Sequence, residues 1–184
     1  MSVNHITFFG DDSQTGAYIL WLRVRAGLTV AFGRFQRGRA VDVPAGLVAY
    51  VGSALGGGGL AGRLLRHATR TGDRPPHAIR AVLPDAFQLA GWESRALRPP
   101  AAKRLHWHVD YLLDEMEVEI AAITVLRTAT RVESVLARRL SALPGVVSLA
   151  PGLGSSDARG ETHLLGYSEP KTLERMQAII ADLI

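Results

Sequence analysis

Cysteine is absent from this chain. That excludes disulfides and thiolate metal sites, and a reducing compartment such as the cytoplasm is the expected location. Lysine is almost absent: Lys103 and Lys171 are the two present, and every other basic side chain is arginine. No apolar run approaches the roughly 20 residues of a membrane span, so no membrane partner is expected. The opening Met1 to His5 lacks the basic and apolar regions of a secretion signal. Aromatic residues make up 7% of the chain, too few for an aromatic-rich RNA platform.

What remains suits one domain with a substantial core: 184 residues, 47% of them hydrophobic. The formal charge of +4 is unevenly spread. Met1 to Leu105 holds 14 basic against 6 acidic residues, whereas His106 to Ile184 holds 7 against 11. Arginine grips phosphate bidentately, so an arginine-rich first half fits a phosphate-bearing partner.

Periodicity predicts strands over 16–24, 47–53 and 117–127. A second segment, 28–35, can pair back on the first as a hairpin, and 39–46 offers a short edge strand stopped by Pro44 and Gly46. Helices are expected near 60–70, over 131–143, and over 170–184 with Pro170 at its start. Segments 146–150 and 163–168 read as further strands. Residues 1–15 read as a polar lead-in. Residues 73–103, framed by two Pro-Pro pairs, read as an insertion with one short strand at 79–83. Residues 104–115 suit either a strand or a helix. The class is α+β, one domain over 1–184, with a small mixed or antiparallel sheet flanked by helices.

"AYVGSALGGGGLAGRLLRHATR", residues 49–70, runs from a strand through four glycines into a helix bearing Arg63, Arg66, His67 and Arg70. Gly57 to Gly62 fits G-x-G-x-x-G, and Asp85 follows roughly 20 residues on, as in a dinucleotide site. The later alternating strand–helix units of a doubly wound sheet are missing, so dinucleotide binding is the weaker reading.

The stronger reading joins several pieces. "GAYIL", "YVGSALGGGGLAGRLLRH", "HWHVDYLL" and "GLGSSDARGETHL" occur in that order across residues 16–167. Together they resemble the GIY-YIG nucleases, and within them the Uri family of endonucleases, a domain also found joined to endonuclease III-type repair proteins. The resemblance implies a divalent-metal-dependent endonuclease that hydrolyses DNA phosphodiester bonds in repair or processing. Association with repair glycosylase-type proteins is implied with it. Two family cysteine positions are here Ala158 and Gly160.

By that resemblance Tyr18 accepts the proton of the attacking water, and Tyr50 orients the water or the phosphate. A tyrosine is a weak base, with a free pKa of about 10, so a metal-bound water or cations favouring phenolate would have to assist it. Arg63 binds the phosphate oxygens as their charge rises. His67, one helical turn on, relays a proton or binds phosphate. Glu133 holds Mg²⁺ or Mn²⁺. Gly52, Ser53, Arg66 and Arg70 line the nucleic-acid surface. A second candidate cluster comprises His106, His108 and Asp110, with Asp157 and His163 of the later loop. On a strand the H-x-H-x-D spacing would put three polar side chains on one face. Ser155, Ser156, Asp157 and His163 lack the strand–turn–helix context of a hydrolase triad. A nucleic-acid-binding domain without activity is the alternative from another class.

Overall fold

The computed structural model describes residues 2–3, 5–92, 100, 103–154, 161–167, 175 and 178–180. Its strands are β1 (Ser2–Val3), β2 (Ile6–Gly10), β3 (Gly16–Val24), β4 (Leu28–Ala31), β5 (Ala40–Val43), β6 (Gly46–Ala54), β7 (Val118–Arg127), β8 (Val146–Ser148) and β9 (Leu164–Tyr167). Its α-helices are α1 (Gly59–His67), α2 (Leu83–Leu89), α3 (His108–Leu113) and α4 (Glu133–Ser141). The class is α+β, as the sequence indicates. Among the described residues no helix is long and apolar enough to cross a membrane.

Seven strands form one sheet in the order β1-β2-β7-β3-β6-β9-β8, and β4 pairs with β5 in a separate two-stranded sheet. The β2–β7 pair is parallel and the remaining pairs are antiparallel. β3 is central, paired along its length with β6 on one side and β7 on the other. Its sequence GAYILWLRV is almost continuously apolar because both faces are covered.

Alternation divides β3 between two cores. Tyr18, Leu20, Leu22 and Val24 face one layer, with Val48 and Tyr50 of β6. Leu60, Leu64 and Leu65 of α1, Phe87 of α2, and Val109 and Leu112 of α3 close that layer. Ala17, Ile19 and Trp21 face the other layer, against Leu136, Ala137 and Leu140 of α4 and against Ile180. Residues 175 and 178–180 are helical, within the helix expected over 170–184, whose other residues lie outside those described.

Three expectations need correction. The lead-in contains β2, because Ile6 and Phe8 bury themselves beside β7. The segment after β3 does not fold back onto it; Val30 and Val43 bury together in the β4–β5 sheet instead. Residues 78–81 form a 3-10 turn and 83–89 form α2, rather than a strand at 79–83. Pro84 lies in the first turn of α2, where a missing N–H costs nothing.

Arg70 is a correction of another kind. It was expected at a nucleic-acid surface, but it is only 3% exposed. Its guanidinium donates to the carbonyls of Val118 (2.5 Å), Pro75 (2.8 Å) and Leu113 (3.1 Å), and faces Glu119 at 3.3 Å. It ties the segment after α1 to the end of α3 and the start of β7. Replacing it strands several buried carbonyls, so Arg70→Leu should destabilise the fold by about 3–5 kcal/mol. A lower urea midpoint at unchanged slope would show this; an unchanged midpoint would refute it.

Candidate active site

The site begins with two glycines. Gly16 opens β3 at φ +150°, and a Cβ there would meet the Leu126 carbonyl oxygen at 1.9 Å. Gly52 pairs with Tyr18 across the β3–β6 ladder. A Cβ at Gly52 would lie 2.5 Å from the Tyr18 hydroxyl, so only glycine leaves room for that side chain. Gly52 therefore shapes the site from behind, rather than lining a nucleic-acid surface.

Tyr18 is 1% exposed, and its hydroxyl lies 2.7 Å from Nε2 of His67, in a hydrogen bond. Tyr50 is 5% exposed, with its ring 6.2 Å from that of Tyr18 and 6.0 Å from the His67 imidazole. Burial, more than any charge, pushes both phenols up. Arg63 pulls each down, but Glu133 and Asp110 push the other way. The cations expected to favour phenolate do not prevail, and both residues are neutral phenols in the free protein. Tyr18 is also the deeper of the two.

His67 is fully buried. Burial lowers its pKa from 6.5 to about 4 despite the Asp110 carboxylate, with Lys103 and Arg66 adding to the fall. Asp110, also fully buried, is ringed by donors. Arg66 holds it bidentately at 2.8 Å on each oxygen. The backbone N–H groups of His106 and Trp107 each donate to Oδ2 at 2.9 Å. Nζ of Lys103 and Nδ1 of His67 each lie 3.4 Å from Oδ1. Burial opposes ionisation of Asp110, but His67, Arg66 and Lys103 outweigh it and hold its pKa well below the usual carboxylate range.

Arg66 is thus committed to Asp110 and to the Arg104 carbonyl (2.6 Å), not free for a nucleic acid as expected. Arg63 is half-buried, with its guanidinium 3.7 Å from the centre of the Trp107 ring; that of Arg66 lies 4.2 Å from the same ring. Trp107 therefore sets where Arg63 rests. Ala54, the glycines of 56–59 and Gly62, Arg63, Arg66 and Trp107 line an open cavity of about 280 Å³.

Glu133 enters from the opposite layer, at the first position of α4, where the helix dipole favours a carboxylate. The Ser53 hydroxyl donates to Oε2, and Nδ1 of His163 lies 3.1 Å from Oε1. Burial works against its charge, but His163, Ser53 and Arg63 together lower its pKa. His163 shows the reverse balance: burial lowers its pKa, yet Glu133 and Glu161 raise it overall. Ser53 is therefore a carboxylate holder. His163 is a partner of Glu133 that spacing alone grouped elsewhere.

The second cluster dissolves. His106 to Asp110 do not form a strand; α3 starts at His108. His106 is exposed and stacks edge-on against Trp107. His108 packs on Phe35 and accepts from the Gly154 N–H at 3.2 Å. Asp110 points to His67, and His163 to Glu133. Asp157 lies outside the described residues. No group of three or more His, Asp or Glu side chains that could hold a metal exists among the described residues. The dinucleotide reading fails on topology: β6 is antiparallel to both neighbours, so no parallel βαβ crossover surrounds the glycines. Asp85 lies instead in the first turn of α2.

Residues 17–184 match the model of a family described as a domain of unknown function, DUF123. No curated protein and no solved structure matches the chain.

Two measurements test this geometry. Gly52→Ala should push the Tyr18 ring from its slot and cost about 1–3 kcal/mol, seen as a lower melting temperature and an altered near-ultraviolet tyrosine signal. An unperturbed variant would mean the slot is wider than described. The second concerns acid. Because His67 binds its proton less readily folded than unfolded, its contribution is complete above pH 6.5 and is lost as pH falls from 6.5 towards about 4. The loss is on the order of 3 kcal/mol. Urea midpoints across that range should fall steeply, and His67→Phe should flatten the fall by about one proton. Equal slopes in both proteins would refute it.

Proposed function

We propose that this chain, which belongs to the DUF123 family, is a divalent-metal-dependent endonuclease that hydrolyses DNA phosphodiester bonds, of the GIY-YIG kind its motifs resemble. One observation carries the reading. β3, β6, α1 and α4 bring Tyr18, Tyr50, Arg63 and Glu133 from four separate segments into one electrostatically linked group. The two layers of the sheet contribute to it jointly. A solvated arginine and a glutamate placed only to suit a helix dipole would have no reason to converge beside two buried phenols.

The residues fit a hard cation. Glu133 offers a half-buried, ionised oxygen ligand with the Ser53 hydroxyl on Oε2 and Nδ1 of His163 3.1 Å from Oε1, so a cation would take the place of His163 on Oε1. Mg²⁺ commonly takes one or two carboxylates and fills the rest with water and substrate phosphate. When bound there, it would supply neutralisation of the leaving 3′ oxygen. Arg63, held over Trp107 beside the open cavity, swings onto the non-bridging oxygens as their charge rises. Water attacks phosphorus and the P–O3′ bond breaks. Tyr50, the less buried phenol, takes the proton of the water as it hands its own to Tyr18, and the Tyr18 hydroxyl passes its proton in turn to Nε2 of His67. Tyr18 thus relays a proton rather than meeting the water directly, because its hydroxyl is sealed in the slot made by Gly52.

End-labelled single-stranded, duplex and branched DNA, incubated with Mg²⁺ or Mn²⁺, tests the proposal. The chain should cut, and Glu133→Gln and Arg63→Ala should each lower the rate about 100-fold or more. Salt-sensitive binding without cutting on every substrate would overturn the nuclease reading in favour of a nucleic-acid-binding domain without activity. Cutting that survives Glu133→Gln would move the metal elsewhere.

A further inference from the structure

We propose that Asp110 is the positioning residue of the site: its carboxylate fixes the proton of His67 on Nδ1, which leaves Nε2 to accept from the Tyr18 hydroxyl. This gives a role to the H-x-H-x-D segment that the proposed reaction leaves unexplained, and its effect on rate rests on the nuclease reading above.

A neutral imidazole has one donor nitrogen and one acceptor nitrogen, and what each faces decides which is which. Nδ1 of His67 faces the Asp110 carboxylate at 3.4 Å, and Nε2 faces Tyr18 at 2.7 Å. All three side chains are buried. A lone pair on Nδ1 directed at a carboxylate in so dry a place would be repelled strongly. A proton there is attracted instead. Tyr18 must then be the donor, and Nε2 of His67 its acceptor.

The carboxylate can do this because it cannot move or neutralise. Arg66 of α1 forks both oxygens, Lys103 approaches from the segment before α3, and the backbone N–H groups of His106 and Trp107, just ahead of α3, fix Oδ2. Tyr50 and Trp107 complete the shell around the imidazole. Within the segment, Asp110 acts by its side chain on His67, whereas His106 acts on Asp110 through its backbone. His108 turns away to Phe35. The tautomer enforced on one face of α1 thereby orients a phenol in the central strand.

Nitrogen-15 NMR of the histidine rings in the full chain reads the tautomer without any reaction. Wild type should show His67 protonated on Nδ1. In Asp110→Asn the side-chain amide can turn an N–H towards Nδ1, and the proton should shift to Nε2. A wild-type spectrum with the proton on Nε2 overturns the proposal, as does an Asp110→Asn spectrum unchanged from wild type. If that variant does not fold, the wild-type spectrum alone decides. For the reaction, Asp110→Asn should lower kcat by up to about 10,000-fold with KM for DNA little changed, the loss seen when a triad aspartate no longer sets the tautomer of its histidine. The predicted tautomer in a wild-type protein that cuts no DNA sinks the nuclease reading and leaves the role of Asp110 standing.

Discussion

A carboxylate with no exposure to water must be surrounded by donors, and the candidate site is organised around meeting that demand at Asp110. Its partners come from α1 and from the segment that leads into α3. Arg66 and His67 are neighbours on α1 and His106 and Trp107 are neighbours before α3, but the two pairs lie far apart in the chain. Satisfying one buried charge thus fixes the spacing between α1 and α3. It also fixes the ring of His67, and through it the hydroxyl of Tyr18. Trp107, the residue immediately before α3, rests against Arg63. A single element therefore sets both the phenol and the guanidinium.

The sheet contributes a second constraint. β3 has to be apolar on both faces, yet carry one tyrosine that reaches a polar partner. Glycine at both motif ends resolves this. Gly16 lets the strand begin where the Leu126 carbonyl crowds it, and Gly52 leaves the slot that Tyr18 fills. Glu133 reaches the same end of the sheet from the opposite layer because α4 starts just after β7 ends. Both layers then share one edge.

Much of this was legible in the chain. β3, β6 and β7 announce themselves because buried central strands are continuously apolar, and α4 because Leu136 and Leu140 repeat at helical spacing. Tyr18, Tyr50, Arg63, His67 and Glu133 were legible as members of one pattern. Arg66 and Arg70 were misjudged for a physical reason. An arginine on a helix looks the same in sequence whether it meets solvent or a buried acceptor, and Asp110 and the Val118 carbonyl lie far along the chain. The H-x-H-x-D spacing was misleading because α3 begins at its second histidine, which scatters side chains that a strand would align. The Glu133–His163 pair had no local signal at all. β2 was missed because an apolar stretch as short as Ile6 to Phe9 carries little periodicity.

The pairing of β3 has a consequence for how the chain comes to be folded. β6 lies close enough in sequence to join β3 early, but β7, its other neighbour, begins at Val118, and β9, which covers the far side of β6, begins at Leu164. Late arrival of both neighbours makes this a slow, high-contact-order topology. Until they dock, a two-stranded ribbon of nearly unbroken apolar sequence has both edges open. The same strand that holds Tyr18 is thus the segment most exposed to mispairing during synthesis, and chaperone dependence should concentrate there.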